Sequence, residues 1–137
     1  MARAIEKCKE RGAKRALPLP VSAPFHSSLM KPAGEKLKDY LQKVALAAPS
    51  IPLVNNVDVK IETDPARIKD ALARQAASPV RWVETIRQMA ASGVTHVVEC
   101  GPGKVLAGMT RRIDADLQSF ALADRAALEQ ALQGVKS

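Results

Sequence analysis

The sequence contains few of the residues that build redox, metal or stacking sites. Only two cysteines and two histidines occur among its 137 residues, and Cys8 and Cys100 belong to no metal-ligand spacing. Two free thiols in a reducing cytoplasm are therefore expected, and a metal site is not. With one tryptophan, one tyrosine and two phenylalanines, the chain lacks the stacking platforms of a single-strand nucleic-acid binder.

Long apolar runs and a nucleophile motif are also missing. No apolar run is long enough to cross a bilayer. The basic N-terminus, MARAIEKCKERGAKR, lacks the continuous apolar core of a secretory signal. No G-x-S-x-G pattern occurs, so no serine is predicted to sit on a nucleophile elbow. We expect a cytoplasmic protein with no membrane contact.

The residues that are present describe a globular chain with a positive surface. Hydrophobic residues make up 47% of the sequence and charged residues 26%, which suits one domain with a sizeable core. The net charge is +7, which suggests nucleic acid as a first candidate partner. No nucleic-acid motif is found, and acids are interspersed among the basic residues. A solvated surface, an acidic protein partner or a phosphate-bearing substrate fits the charge equally well.

Helix and strand patterns alternate along the chain. Pro18 and Pro20 predict an extended segment at 17–23, and Ser27 and Ser28 are candidate caps for the next helix. The patterns predict helices over 2–12, from 28–32 through Ala48, from Pro65 to about Ala76, over 80–92, over 104–113 and after Asp124, with strands over 51–59, 95–100 and 119–122. This order predicts an α/β fold with a mostly parallel sheet.

His26 is the candidate for chemistry because of its position. It follows an extended segment at a helix entrance, and in α/β sheets that edge is where ligands bind. It could act as a general base near neutral pH, or it could be an ordinary exposed loop histidine.

A catalytic imidazole needs its second ring nitrogen held, and Gln75 offers one way to hold it. The predicted helix ending near Ala76 leaves its last four carbonyls without intrahelical partners, and Gln75 is among them. These oxygens lie at the negative end of the helix dipole, so one of them could accept the N–H of His26. The alternative is that Gln75 is an ordinary residue of the last turn.

Three other motifs favour structural roles. The GPGK sequence at 101–104 lacks the rest of a phosphate-loop pattern and is predicted to be a strand-to-helix turn, with a weak anion contact as the alternative. Asn55 and Asn56 are predicted to form a strand end or turn rather than a polar site. Cys100 is predicted to be buried and inert.

Four blocks of the sequence resemble one enzyme family. They are ALPLPVSAPFHSSLMKPAGEKL, IPLVNNVDVKIET, IKDALARQAASPVRW and VVECGPGKVLAGMTRRI. Their order and spacing over about residues 13–122 closely resemble the C-terminal part of malonyl-CoA:acyl-carrier-protein transacylases of bacterial fatty-acid synthesis. The resemblance implies a remnant of a small ferredoxin-like subdomain at 1–20. It implies the C-terminal part of the large α/β acyltransferase domain, with helices on both faces of its sheet, at 21–137.

The resemblance also implies roles for three residues. In the family a histidine activates a serine of a G-H-S-x-G elbow, and the serine passes malonyl from coenzyme A to the phosphopantetheine thiol of acidic acyl carrier protein. The family's histidine matches His26, and the residue whose main-chain carbonyl holds it matches Gln75. In related acyltransferase domains an FH pair goes with malonyl, so Phe25 is implied to contact the acyl group. No cofactor is implied beyond the coenzyme A thioester that serves as substrate.

The sequence departs from the family by lacking its N-terminal half. The serine, the oxyanion donors and the arginine that pairs with the malonyl carboxylate are not encoded here. The isolated chain is therefore predicted to be inactive alone, with a separate N-terminal portion as a candidate partner. Two alternatives stay open: a non-catalytic module that binds acyl carrier protein, and a gene fragment without stable function, whose exposed apolar faces would cause association.

Overall fold

The fold is described by a computed structural model of residues 1–18 and 20–136. Leu19, part of the segment predicted to be extended at 17–23, and Ser137 lie outside the described residues. The described remainder of that segment contains neither a helix nor a ladder-paired strand.

Helices and short strands follow one another as the α/β prediction requires. The helices are α1 Ala2–Glu10, α2 Lys31–Gln42, preceded by a 3₁₀ turn at Ser28–Met30, α3 Pro65–Gln75, α4 Trp82–Ala91, α5 Val105–Ile113 and α6 Arg125–Lys136. The strands are β1 Leu53–Val54, β2 Ile61–Glu62, β3 His96–Glu99 and β4 Gln118–Ala121. The α/β class is confirmed.

The strands form one parallel pair and one antiparallel pair. β3 and β4 are parallel, with His96 opposite Gln118 and Glu99 opposite Ala121, and α5 connects them. β1 and β2 form a short antiparallel hairpin. The strand predicted over 51–59 is therefore too long, because the chain turns after Val54 and pairs with itself. The strand end or turn predicted at Asn55 and Asn56 is confirmed.

Local signals fixed the ends of three helices. The side chain of Asp64 accepts a hydrogen bond from the Ala66 amide at 3.1 Å, so it caps α3 as predicted. α3 ends at Gln75, beside the predicted stop. Gly93 adopts a φ of +87° just after α4, which is the left-handed conformation that glycine allows at a helix end. Asp124 accepts from the Ala127 amide at 2.8 Å at the start of α6.

The helix that follows His26 begins within its predicted range, but its capping and its C-terminal end differ from the prediction. Neither Ser27 nor Ser28 caps a free amide, since the Ser27 hydroxyl donates to the Pro24 carbonyl at 2.7 Å instead. α2 ends at Gln42 rather than near Ala48. The Val44 carbonyl beyond it accepts a hydrogen bond from Nζ of Lys69 at 2.6 Å, so a tertiary contact overrides the continuing apolar pattern.

The core is small and the exposed surface is large. Ile86 is completely buried, and the other buried apolar residues are Ile68, Ala71, Ala73, Ala107, Leu117 and Ala131. The chain exposes 10387 Å², whereas a compact monomer of its mass exposes about 6,900 Å². Side chains such as Leu29, Ile51 and Val105 are more than two-thirds exposed. Much of the apolar surface of this fold therefore lacks cover in the single chain.

Candidate active site

His26 lies in a short turn between the extended segment and α2. Its backbone φ is +58°, in the left-handed region that non-glycine residues rarely occupy. The residue is exposed, and no residue over 20–33 is buried. Its conformation therefore depends on specific hydrogen bonds rather than on burial.

Two carbonyls at the end of α3 hold His26. The main-chain oxygen of Gln75 lies 3.0 Å from Nδ1 of the imidazole. The main-chain oxygen of Ala76 accepts the His26 amide at 3.3 Å. The contact with Gln75 that the family resemblance implied is thus present, although its role in catalysis stays a prediction.

This contact fixes the tautomer of a neutral imidazole. A carbonyl oxygen can only accept, so Nδ1 must carry the hydrogen. Nε2 of His26 then keeps its lone pair and can take a proton from a nucleophile. The carbonyl of Gln75 lies in the last turn of α3, where helix carbonyls have no intrahelical partner. The pair has the geometry of a base and its orienting group.

The end of α3 is in turn tied to the β1–β2 hairpin. Arg74, which precedes Gln75, donates from Nη1 to Oδ1 of Asp58 at 2.8 Å and from Nε to Oδ2 of Asp70 at 2.6 Å. Hydrogen bonding by Arg74 lowers the pKa of Asp58, and the two carboxylates raise the pKa of Arg74. No periodic pattern in the sequence indicates this pair, since its two residues lie sixteen positions apart.

The GPGK turn is a structural element. Oε2 of Glu99, the last residue of β3, accepts the Ala107 amide in the first turn of α5 at 2.8 Å. A carbon atom added at Gly103 would lie 3.4 Å from Oε1 of the same carboxylate. A side chain therefore already occupies the anion-attracting end of α5, which supports the predicted strand-to-helix turn over the anion contact.

Three further findings concern the thiols and possible metal or membrane sites. Cys100 is exposed, so the prediction that it is buried is wrong, because it lies just beyond the end of β3 rather than within the strand. Within 1–18 and 20–136, no group of three or more His, Cys, Asp or Glu is placed to hold a metal ion. None of the helices described is long and apolar enough to cross a membrane.

The chain is similar in sequence to known enzymes. No family model matches the chain. The malonyl CoA-acyl carrier protein transacylase of Salmonella typhimurium is 56% identical over 130 residues, which is 95% of this chain and 42% of that protein. The chain resembles the C-terminal part of these transacylases. The Bacillus subtilis transacylase is 46% identical and is covered to the same extent, 42%.

Solved transacylase structures share the fold. The acyl-carrier-protein S-malonyltransferase of Burkholderia pseudomallei superposes with a TM-score of 0.90 at 62% identity, covering 96% of this chain and 43% of that one. A malonyl-transacylase in complex with its type II PKS acyl-carrier protein superposes with a TM-score of 0.91 at 49% identity, covering 97% of this chain and 43% of that one. The chain therefore spans less than half of the transacylases that it resembles.

Phe25 directly precedes the candidate base in the chain. Its ring is 57% exposed, and its amide donates to the Ala23 carbonyl at 2.9 Å in a tight turn. Its part in selecting the acyl group stays a prediction.

Proposed function

We propose that this chain supplies the base half of a malonyl transferase. In this proposal His26 removes the proton from a serine carried by the N-terminal portion of the transacylase fold, and the Gln75 carbonyl orients the ring. The serine takes malonyl from malonyl-CoA and passes it to the phosphopantetheine thiol of acyl carrier protein. The observation that carries the proposal is the 3.0 Å contact between Nδ1 of His26 and the Gln75 oxygen.

The chain's exposed surface supports a requirement for that N-terminal portion. A chain that spans 42% of its relatives exposes about one and a half times the area of a compact monomer of its mass. The uncovered apolar side chains include Leu29 and Phe25, which flank His26. We infer that the remaining part of the transacylase fold covers this face, whether it is carried on the same polypeptide or on a separate one.

Two further features belong to the proposal. The coenzyme A thioester is the only small molecule required, and no resident cofactor takes part. A cytoplasmic location is supported by two free, exposed thiols, Cys8 and Cys100.

The test is malonyl exchange between malonyl-CoA and acyl carrier protein. We expect no transfer by the chain alone and measurable transfer when it is combined with the N-terminal portion of the Salmonella relative. The variant His26→Ala should lower the complemented rate by about 10²–10⁴-fold, the usual contribution of a general base. His96→Asn is the matched control, because it alters the other histidine, which lies on β3, and should leave the rate unchanged. Complemented transfer that survives His26→Ala would refute the proposal.

Phe25 is proposed to favour malonyl over methylmalonyl. A ring beside the acyl pocket leaves little room for an α-methyl group, and such steric contacts discriminate by about 1–3 kcal/mol. The variant Phe25→Ser in the complemented enzyme should raise the methylmalonyl-to-malonyl ratio of kcat/KM. An unchanged ratio would remove Phe25 from the acyl pocket.

A second candidate is a non-catalytic module that binds acyl carrier protein. One structural neighbour is a malonyl-transacylase bound to its acyl-carrier protein, and the net charge of +7 favours an acidic partner. Titration with carrier protein at low and high salt separates the hypotheses. Binding that weakens with salt, together with no transfer in the complemented mixture, would favour the module. No binding at low salt would exclude it.

A further inference from the structure

The loop between β1 and β2 contacts both ends of the connection from α3 to α4. At one end, Asp58 binds the guanidinium of Arg74 through both carboxylate oxygens. At the other end, the Asn56 carbonyl accepts the Arg81 amide at 3.1 Å. The Asn56 side-chain oxygen also accepts the hydroxyl of buried Thr85 at 3.2 Å. The loop therefore bridges the end of α3 and the start of α4. The carbonyls that hold His26, those of Gln75 and Ala76, lie at the α3 end of this bridge.

The loop has a closely determined shape. The side-chain oxygen of Asn55 accepts the Asp58 amide at 2.7 Å, and its side-chain nitrogen donates to the Lys60 carbonyl at 3.2 Å. Val59 adopts a φ of +57°, an unfavourable conformation for a β-branched residue. Such strain persists only where the surrounding contacts impose it. The loop is thus held in a shape that presents the Asp58 carboxylate to α3.

Asp58 is the partner that ties Arg74 to an element outside α3, the β1–β2 loop. Arg74 also pairs with Asp70, but that partner lies one turn earlier in α3 and moves with it. The Asp58 pair crosses from the hairpin to the last turn of α3 and is bidentate, which fixes orientation as well as distance. The next residue in the chain is Gln75.

We propose that Asp58, acting through Arg74, is a positioning residue that holds the Gln75 carbonyl against Nδ1 of His26. The His26 turn has no buried residue to anchor it over 20–33. Its left-handed backbone is secured by the Gln75 and Ala76 oxygens. Movement of the last turn of α3 would therefore alter both hydrogen bonds together. The importance of this for turnover depends on the proposed function, but the positioning itself does not.

The test measures the His26 hydrogen bonds directly in the full chain. Asp58→Asn should increase amide hydrogen exchange at His26 about fivefold, the upper range expected for losing a partly exposed ion pair. It should also reduce the fraction of the Nδ1–H tautomer, which imidazole ¹⁵N shifts report. The matched control is Asp70→Asn, which removes the other carboxylate from Arg74 but leaves the cross-link, and should change neither readout.

A second variant tests whether bidentate geometry is what matters. Arg74→Lys keeps the charge and the helix propensity but loses the fork, so it should reproduce the Asp58→Asn result. The double variant should be no worse than either single variant. Unchanged exchange and tautomer in both single variants would overturn the proposal, as would an equal effect of Asp70→Asn.

The positioning role of Asp58 and the proposed function of His26 can be tested, and rejected, independently of each other. The NMR readouts need no turnover, so a negative result there overturns the role of Asp58 and leaves the role of His26 standing. In the complemented enzyme, Asp58→Asn should lower kcat with little change in KM, because it alters the base and not substrate binding. Transfer that survives His26→Ala would instead overturn the function and leave the positioning intact.

Discussion

The turn that carries His26 and the C-terminal unit at 95–136 are stabilised in different ways. In the C-terminal unit, β3, α5, β4 and α6 enclose buried side chains, among them Ala107, Leu117 and Ala131. Two buried hydroxyls there are satisfied within the unit, since Ser119 donates to the Ala107 carbonyl at 3.1 Å and Thr110 donates to the Leu106 carbonyl at 2.9 Å. By contrast, none of the residues 20–33 is buried. The catalytic candidate thus sits on a part of the chain that has no buried residue to secure it.

Packing and hydrogen bonding therefore stabilise different parts of this chain. Burial stabilises the C-terminal unit as a whole, so its loss should affect global unfolding. The His26 turn relies on the end of α3, so changes there should affect local geometry at little cost in global stability.

The largest expected effect lies in the core. Ile86 on α4 is completely buried, so Ile86→Ala should lower the free energy of unfolding by about 2–5 kcal/mol through lost transfer energy and a cavity. Leu29→Ala is the control beside the site, because Leu29 is 73% exposed and should change stability little. Urea unfolding monitored by circular dichroism measures both. A comparable loss for Leu29 would show that the His26 turn has a packed core of its own.

An intermediate effect is expected where α2 packs on α3. Gly34 is the buried residue of α2, and a carbon atom added there would lie 3.0 Å from the Ala73 carbonyl. Gly108 on α5 is the matched control, since an added carbon meets nothing within 4 Å. Both substitutions to alanine gain helix propensity, but Gly34→Ala also forces the helices apart. We expect Gly34→Ala to be about 1 kcal/mol or more less stable than Gly108→Ala. Equal stabilities would mean that α2 and α3 adjust freely.

The sequence predicted those features whose cause is local. The Asp64–Pro65 start of α3 and its stop beside Ala76 were predicted correctly, because a cap and the Ser78–Pro79 pair act within a few residues. The end of α2 was placed too late, because the contact between Val44 and Lys69 comes from another helix. The strand predicted over 51–59 ends at Val54, because the Asn55 side chain hydrogen-bonds within its own loop, where a strand end or turn was predicted.

The candidate site was predictable only in part. Helix-end chemistry suggested that a Gln75 carbonyl could hold His26, but the transacylase resemblance was needed to connect residues 49 positions apart. Nothing in the sequence indicated that Asp58 would meet Arg74, since the turn predicted at Asn55 and Asn56 does not determine which helix the loop contacts. Such a long-range ion pair can be recognised only once the fold is known.

The smallest expected effect is a loss of folding stability at low pH. Because Arg74 hydrogen-bonds to Asp58, the pKa of that carboxyl in the folded chain lies below its ordinary value of 3.8. The pair therefore contributes stability above that value, and the contribution is lost as the pH falls through the lowered pKa. Between about pH 5 and pH 3, the wild-type chain should lose more stability than Asp58→Asn, although solvent reduces the difference because both side chains are partly exposed. Urea midpoints across this range measure it. Parallel pH profiles would show that Arg74 does not hold Asp58 in solution, which would also weaken the link from the hairpin to His26.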